Sequence, residues 1–385
     1  MNNENASSRT GRSEKGQKNV NTTTLEPQPE TGLQFDAVGM LRDLVSIESH
    51  SGEEQNVARF LVDTMNQLSF DKAFVDDAGN AVGERAIPNA DGSIDRHIVL
   101  LGHMDTVKGE IDVRIEDGKL YGRGTVDAKG PLATFVAATA AAELKAGTRV
   151  TVVGAVEEES STSAGARFAA TQYAPELCII GEPSGWNGVT IGYKGIVQIN
   201  FLLELPMGHA SGLQSGVPER AIEFWNRISE YVATYNRGRT KLFDQLIPAI
   251  RDFNFECDGL HDRVKFHASV RLPPDFDCEE FERWVAELDE DAIVKTYGFE
   301  QTYRSDRRND LARSFNRVIR QHDSAPHFKV KTGTCDMNVV GPVWNCPIVA
   351  YGPGDSSLDH TPNEHIEVAE YETAINVLRT VLESL

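Results

Sequence analysis

Four times in this chain a run of apolar residues stops at an acid or a histidine, and that pattern limits the fold more than any other feature. Ile98-Val99-Leu100-Leu101 leads to His103 and Asp105, and the run from Val150 leads to Glu157-Glu158-Glu159. Ile179-Ile180-Gly181 stops at Glu182, and Pro347-Ile348-Val349-Ala350-Tyr351 enters a Gly-rich loop that holds His360. Runs this short and this apolar read as strands of a buried sheet. The Ala-rich stretch from Pro131 to Leu144 has the length of a helix. Apolar residues also recur at helical spacing from Phe35 (Val38, Leu41, Leu44, Val45) and from Glu53 to Leu68. Strands alternating with helices predict an α/β fold with a mostly parallel central sheet and flanking helices.

A chain of 385 residues exceeds what one hydrophobic core usually supports, so two domains are expected. The pattern changes after Gly195. A long strand from Ile196 to Leu205 precedes an amphipathic helix across Pro218 to Tyr235, and strands at 250–257 and 263–272 are joined by Asp258-Gly259, a hairpin signal. A helix over 278–288 and a strand over 292–298 complete the order β-α-β-β-α-β of a small ferredoxin-like α+β domain. That places an inserted domain at 195–307 inside a first domain formed by 34–194 and 308–385. Residues 1–33 are polar and read as a disordered tail.

Charge and cysteine usage narrow the setting. A net charge of -20 leaves no positive field to collect phosphates, which argues against nucleic acid. Five scattered cysteines without a Cys-x-x-Cys pair suit free thiols in a reducing compartment. No apolar run approaches the roughly 18 residues of a membrane span, so a cytoplasmic location away from the membrane is expected.

The chemistry lies where the strands end. His103 and Asp105 are two apart, so in an extended segment both point to one side, and the acid can hold the imidazole from behind. Asp127 follows Gly122-Arg123-Gly124 at a strand-to-helix junction; alone it would serve equally as a helix cap, but near His103 it is the natural bridge between two cations. Three successive carboxylates on a sheet edge repel one another unless a cation or proton compensates. One of them can bind metal while its neighbour takes a proton from the attacking water.

Gly-His-Met-Asp-Thr-Val, Gly-Arg-Gly-Thr-Val-Asp-Ala-Lys-Gly, the Glu run, Gly-Glu-Pro and the late His360 occur in an order that resembles the acetylornithine deacetylase and succinyl-diaminopimelate desuccinylase family of two-zinc hydrolases, from about residue 35 onward. The resemblance implies two Zn2+ ions, with Co2+ or Mn2+ as substitutes: His103 and Glu182 on one, Glu159 and His360 on the other, Asp127 bridging, and Asp105 orienting His103. The family's Asp-Glu-Glu is here Glu157-Glu158-Glu159. The matching register makes Glu158 the general base and Glu159 the ligand, while the extra carboxylate leaves the Glu157/Glu158 pair open. It further implies that 195–307 is a lid and dimerisation domain whose His209 serves the partner subunit's site, that Arg271 grips a substrate carboxylate, and that Gly333 and Thr334 belong to a substrate loop in which Cys335 replaces a Ser. No base or lowered pKa marks Cys335 as a nucleophile.

Within the family, Val126 to Pro131, Gly333 to Asn338 and Tyr351 to Glu364 are most similar to hydrolases that release lysine or ornithine from an amino-group carrier protein. The implied activity is cleavage of the amide between an acyl group and the amino group of lysine or ornithine, with a homodimer as the working form. Acetylornithine or N-acetyl-lysine deacetylase, succinyl-diaminopimelate desuccinylase and dipeptidase share the ligand set; a non-catalytic binding protein on this scaffold is the alternative of another class. Between Gln301 and Lys331, eight Arg or Lys residues face three Asp. They form either a solvated helix face, with Arg313 and Arg317 opposite Phe315, or a dock for an acidic carrier protein.

Overall fold

The computed structural model describes residues 35–209 and 216–385. The expected disordered tail and the Ala210-Ser211 end of the lid-histidine segment lie outside them.

Strands Thr148–Ala155, Arg96–His103, Leu177–Gly181 and Ile348–Tyr351 lie side by side and parallel at the heart of a nine-stranded sheet. Antiparallel strands flank them: Ala81–Ile87 and Lys72–Val75 on one side, Gly188–Tyr193 and Tyr303–Arg304 on the other, with His327–Lys331 parallel to Gly188–Tyr193. The apolar runs are continuous because both faces are covered. Ile98 and Leu100 pack under helices such as Lys129–Ala141 and Val368–Ser384, whereas Val99 and Leu101 pack with Ala166, Ala169 and Met337 of the opposite layer.

The strand ends are level. Gly102 pairs with both Gly154 and Gly181, and Gly181 with Tyr351, so the four parallel strands finish along one edge. A Cβ on Gly181 would stand 3.0 Å from the Gly102 Cα and 3.0 Å from Phe135, and this close approach brings helix Lys129–Ala141 down onto the edge.

The insertion forms a separate antiparallel sheet in the order Ile247–Cys257, His261–Leu272, Gly195–Pro206, Ile293–Glu300. Helices Val217–Tyr235 and Cys278–Ala286 cover one face through Phe201, Phe224, Phe266 and Phe281. This is the ferredoxin-like arrangement expected from the element order. Its outer strand Ile247–Cys257 has one edge that pairs with no strand among the described residues, and it exposes Ile250, Phe253 and Phe255.

Candidate metal centre

Because the parallel strands end level, residues far apart in sequence meet above them, as ligands do outside the carboxyl ends of such sheets. His103 closes its strand almost fully buried, with Nε2 3.2 Å from Asp127 Oδ1 and 3.9 Å from Glu158 Oε2. The other Asp127 oxygen faces a different imidazole: Oδ2 lies 3.0 Å from His360 Nε2, which is also 2.9 Å from Glu159 Oε1. One carboxylate thus looks at two histidines, one per oxygen. Ligand atoms of His103, Asp127 and Glu159 lie within 4.8 Å of one another. Glu182 lines the same cavity, buried, with the Tyr193 hydroxyl 3.4 Å from Oε2.

Asp105 does more than sit behind His103. The imidazole Nδ1 is 3.0 Å from the Asp105 backbone carbonyl and 3.5 Å from its Oδ1. The carboxylate also accepts the N–H of Glu158 on Oδ1 and of Glu159 on Oδ2, each at 3.0 Å, and the Ser51 hydroxyl at 2.7 Å. It therefore fixes the two acids as well as the ring. Glu157 turns aside: its backbone is left-handed (φ 59°), its N–H is held by Glu54 Oε1 at 3.1 Å, and its carboxylate accepts from Thr162.

The protonation pattern shows a site short of positive charge. Burial pushes the Glu158 carboxyl well above its usual range and, with Asp127 beside it, raises Glu182 to about 8. Burial also opposes ionisation of Asp127, but hydrogen bonds with His103 and His360 outweigh it and hold the group low. His360 is driven up to about 10 by Asp127 and Glu159. Protons on imidazoles and carboxyls here offset repulsion that bound cations would relieve. Two imidazoles and several carboxylates are donors that zinc, cobalt or manganese accept, so the residues fit a metal.

The cavity encloses about 630 Å³ and pairs this acidic floor with a basic wall of Arg251, Arg271 and Lys331. Arg271 donates from Nη1 to Thr334 Oγ1 at 2.6 Å, and Gly333 lines the same wall. Cys335 is buried, its thiol pushed well up by burial; its sulfur accepts the Met337 N–H and caps helix Asp336–Trp344, which accounts for a Cys at this position.

Three of the residues singled out in the sequence lie elsewhere. His209 is exposed beyond the far end of strand Gly195–Pro206, whose 12 residues start at the cavity. That is roughly 35 Å at 3.3 Å per residue. Arg313 and Arg317, on helix Asp310–Gln321, stand beside Asp95, Glu176 and Pro347, where the parallel strands begin. The metal cluster is at the opposite ends, roughly 25 Å away by strand length. Both arginines are exposed there, whereas Lys331 of the same basic run lines the cavity. No helix among the described residues is long and apolar enough to cross a membrane.

Glu364 carries no local pattern that marks it as a functional residue. Fully buried, it accepts the backbone N–H groups of Gly124, Val126 and Asp127. Only its place four residues after His360 could have drawn notice.

Comparison with known proteins identifies the family. The family model described as peptidase family M20/M25/M40 matches residues 99–384. The chain is 43% identical over 356 residues to a LysW-lysine hydrolase of Deinococcus radiodurans, covering 90% of this chain and 96% of the relative. It is 39% identical over 351 residues to a protein of Thermococcus kodakarensis provisionally named LysW-lysine/LysW-ornithine hydrolase, covering 90% and 92%. Among solved structures, the M20 family metallo-carboxypeptidase Sso-CP2 of Sulfolobus solfataricus superposes with a TM-score of 0.73 at 17% identity, over 91% of this chain and 99% of that one, a likeness of fold. A family match across most of the sequence and a relative this similar over nine-tenths of it leave one assignment: the chain belongs to peptidase family M20/M25/M40 and is a metal-dependent hydrolase of amide bonds.

Proposed function

We propose that this hydrolase releases lysine or ornithine from an amide linkage to a carrier protein, using two zinc ions. The observation that carries the metal reading is the two-faced Asp127, with one oxygen toward His103 and the other toward His360. His103 and Glu182 would hold one ion, Glu159 and His360 the other, with Asp127 between them. Bound there, the ions supply Lewis acidity for the scissile carbonyl and lower the pKa of the attacking water. Glu158, part-buried with Oε2 3.9 Å from His103 Nε2, takes the water's proton on its carboxylate and returns it to the departing amine. The Glu158/Glu159 register is favoured because Glu157 is engaged with Thr162 and turned from the cavity. Arg271, oriented by Thr334 above Gly333, receives a substrate carboxylate.

Residues 195–307 act as the lid. The outer edge of Ile247–Cys257 pairs with a second copy to form a homodimer, which buries its exposed Phe253 and Phe255. His209, too distant for its own cavity, then stabilises the oxyanion in the partner's. Five free cysteines suit a reducing cytoplasm.

The carrier-linked substrate is supported by the LysW-lysine hydrolase relative at 43% identity. Rates on carrier-linked lysine, acetyllysine, acetylornithine and dipeptides, measured side by side, test it. The carrier-linked substrate should lead in kcat/KM, and a dipeptide or acetyl substrate turned over faster would overturn the assignment. Glu158→Gln should abolish hydrolysis while leaving bound zinc unchanged.

A further inference from the structure

Glu364 has no part in the ligand set, yet it makes one of the most fully satisfied carboxylates in the molecule. Its Oε1 accepts three backbone N–H groups, from Gly124 and Val126 at 2.9 Å and from Asp127 at 3.1 Å. Its Oε2 accepts Arg123 Nη1 at 2.6 Å, and its backbone carbonyl takes the Gly122 N–H at 3.3 Å. The whole turn from Gly122 to Asp127 is thereby gathered around one side chain.

The turn is shaped for this. Gly124 has φ +87°, and a Cβ there would stand 2.8 Å from Thr106 Cγ2, so the backbone can bend its N–H groups inward only as glycine. Successive inward N–H groups make a concavity for an anion, and the chain fills it with its own carboxylate. A buried carboxylate is costly unless hydrogen bonds compensate it, and the three N–H groups on Oε1 supply most of that compensation.

Glu364 is also joined to His360 through the three residues Thr361-Pro362-Asn363 of one loop. A shift of Glu364 therefore moves the two groups that face each other across 3.0 Å, Asp127 Oδ2 and His360 Nε2. Asp105 stands in the same relation to Glu158 and Glu159 at the other side of the cavity.

We infer that Glu364 is a positioning residue for the metal centre. It sets the Asp127 carboxylate, and with it His360, so that Oδ1 stays turned to His103 and Oδ2 to His360, the residues that would hold the two cations. This rests on the two-cation reading.

Chelator-competition titration with Zn2+, and the visible absorption spectrum of the protein loaded with Co2+, test it. Glu364→Ala removes the acceptor, and Glu364→Asp keeps the charge but draws it back from the three N–H groups. Both should bind the cations at least about tenfold more weakly, with a changed cobalt spectrum and a lower kcat at unaltered KM. Arg123→Met, which leaves the three N–H contacts in place, should stay within about threefold of the parent protein in affinity. If Glu364→Ala does not fold, Glu364→Asp decides alone. Parent-like affinity and an unchanged cobalt spectrum in the folded variant would overturn the inference, even if its unfolding temperature falls. Fewer than two equivalents in the parent protein would instead sink the two-cation reading itself.

Discussion

Asp105→Asn isolates one residue on which three parts of the site depend. The side chain is fully buried and its shape is conserved, so packing changes little. Asp105 accepts from Glu158 N on one oxygen and from Glu159 N and Ser51 Oγ on the other. An amide offers only one acceptor, so whichever way it turns, an NH2 group meets a backbone N–H. A hydrogen bond to a charged group contributes about 1.5–3 kcal/mol, and a buried donor left unsatisfied costs about 1–3 kcal/mol. Some relaxation is inevitable, which leaves about 2–4 kcal/mol lost where Glu158 and Glu159 must be held. At about 1.4 kcal/mol per decade, kcat/KM should fall roughly 30- to 1000-fold. Steady-state kinetics on the best substrate, with bound zinc measured in the same preparation, reads the effect. Activity within about threefold of the parent enzyme at full zinc occupancy would refute the idea that Asp105 positions the two acids.

Three further outcomes follow from the geometry. Glu158→Gln and His209→Ala should each be inactive alone, but an equal mixture reassembled from monomers should recover about a quarter of the parent activity, because half the dimers are mixed and each mixed dimer has one intact site; no recovery would place His209 outside the partner's cavity. Gly181→Ala drives a Cβ against the neighbouring strand at Gly102 and against Phe135, so the urea midpoint should drop by the equivalent of about 1–3 kcal/mol with an unchanged slope, and an unaltered midpoint would contradict the close packing. With cations stripped by chelator, His360 titrates near 10 in the folded protein, above its ordinary value of about 6.5. The folded state then binds this proton more tightly than the unfolded chain, so the contribution is complete below about pH 6.5 and fades as pH rises toward 10. The unfolding temperature of the stripped protein should therefore fall across that window more than that of the zinc-saturated protein, and parallel profiles would count against it.

What could be read from the residues alone was what strand periodicity exposes. Apolar runs that end in His103, Glu158, Glu182 and His360 identify a buried sheet and its functional edge, because both faces of such strands must be apolar while their ends need not be. The β-α-β-β-α-β order was legible for a similar reason: Ile196 to Leu205 and 263–272 are long and strongly patterned. Short pieces were not. Arg114–Glu116, Lys119–Tyr121 and His365–Glu367 are three-residue strands held by one another, and Gly188–Tyr193 alternates apolar Val189, Ile191 and Tyr193 over only 6 residues, two of them glycine. Helix Ala164–Gln172 buries only Gly165, Ala166 and Ala169, small residues that leave no stripe.

Residues that hold backbone rather than metal escaped for a different reason. Glu54 and Glu364 act on N–H groups about 100 and 240 residues away, a relation no local pattern encodes. The arginines of Asp310–Gln321 show the same limit. Their helical spacing was plain, but whether they flank the site depends on which end of the parallel strands they meet, and that is fixed by topology.

The most direct measurement is diffraction from zinc-loaded crystals at and below the zinc absorption edge. Two anomalous peaks should appear, one beside His103 and Glu182 and one beside His360 and Glu159, with a separate Asp127 oxygen turned to each. A single peak, or two that leave Asp127 on one side, would contradict the account of a carboxylate shared between two cations.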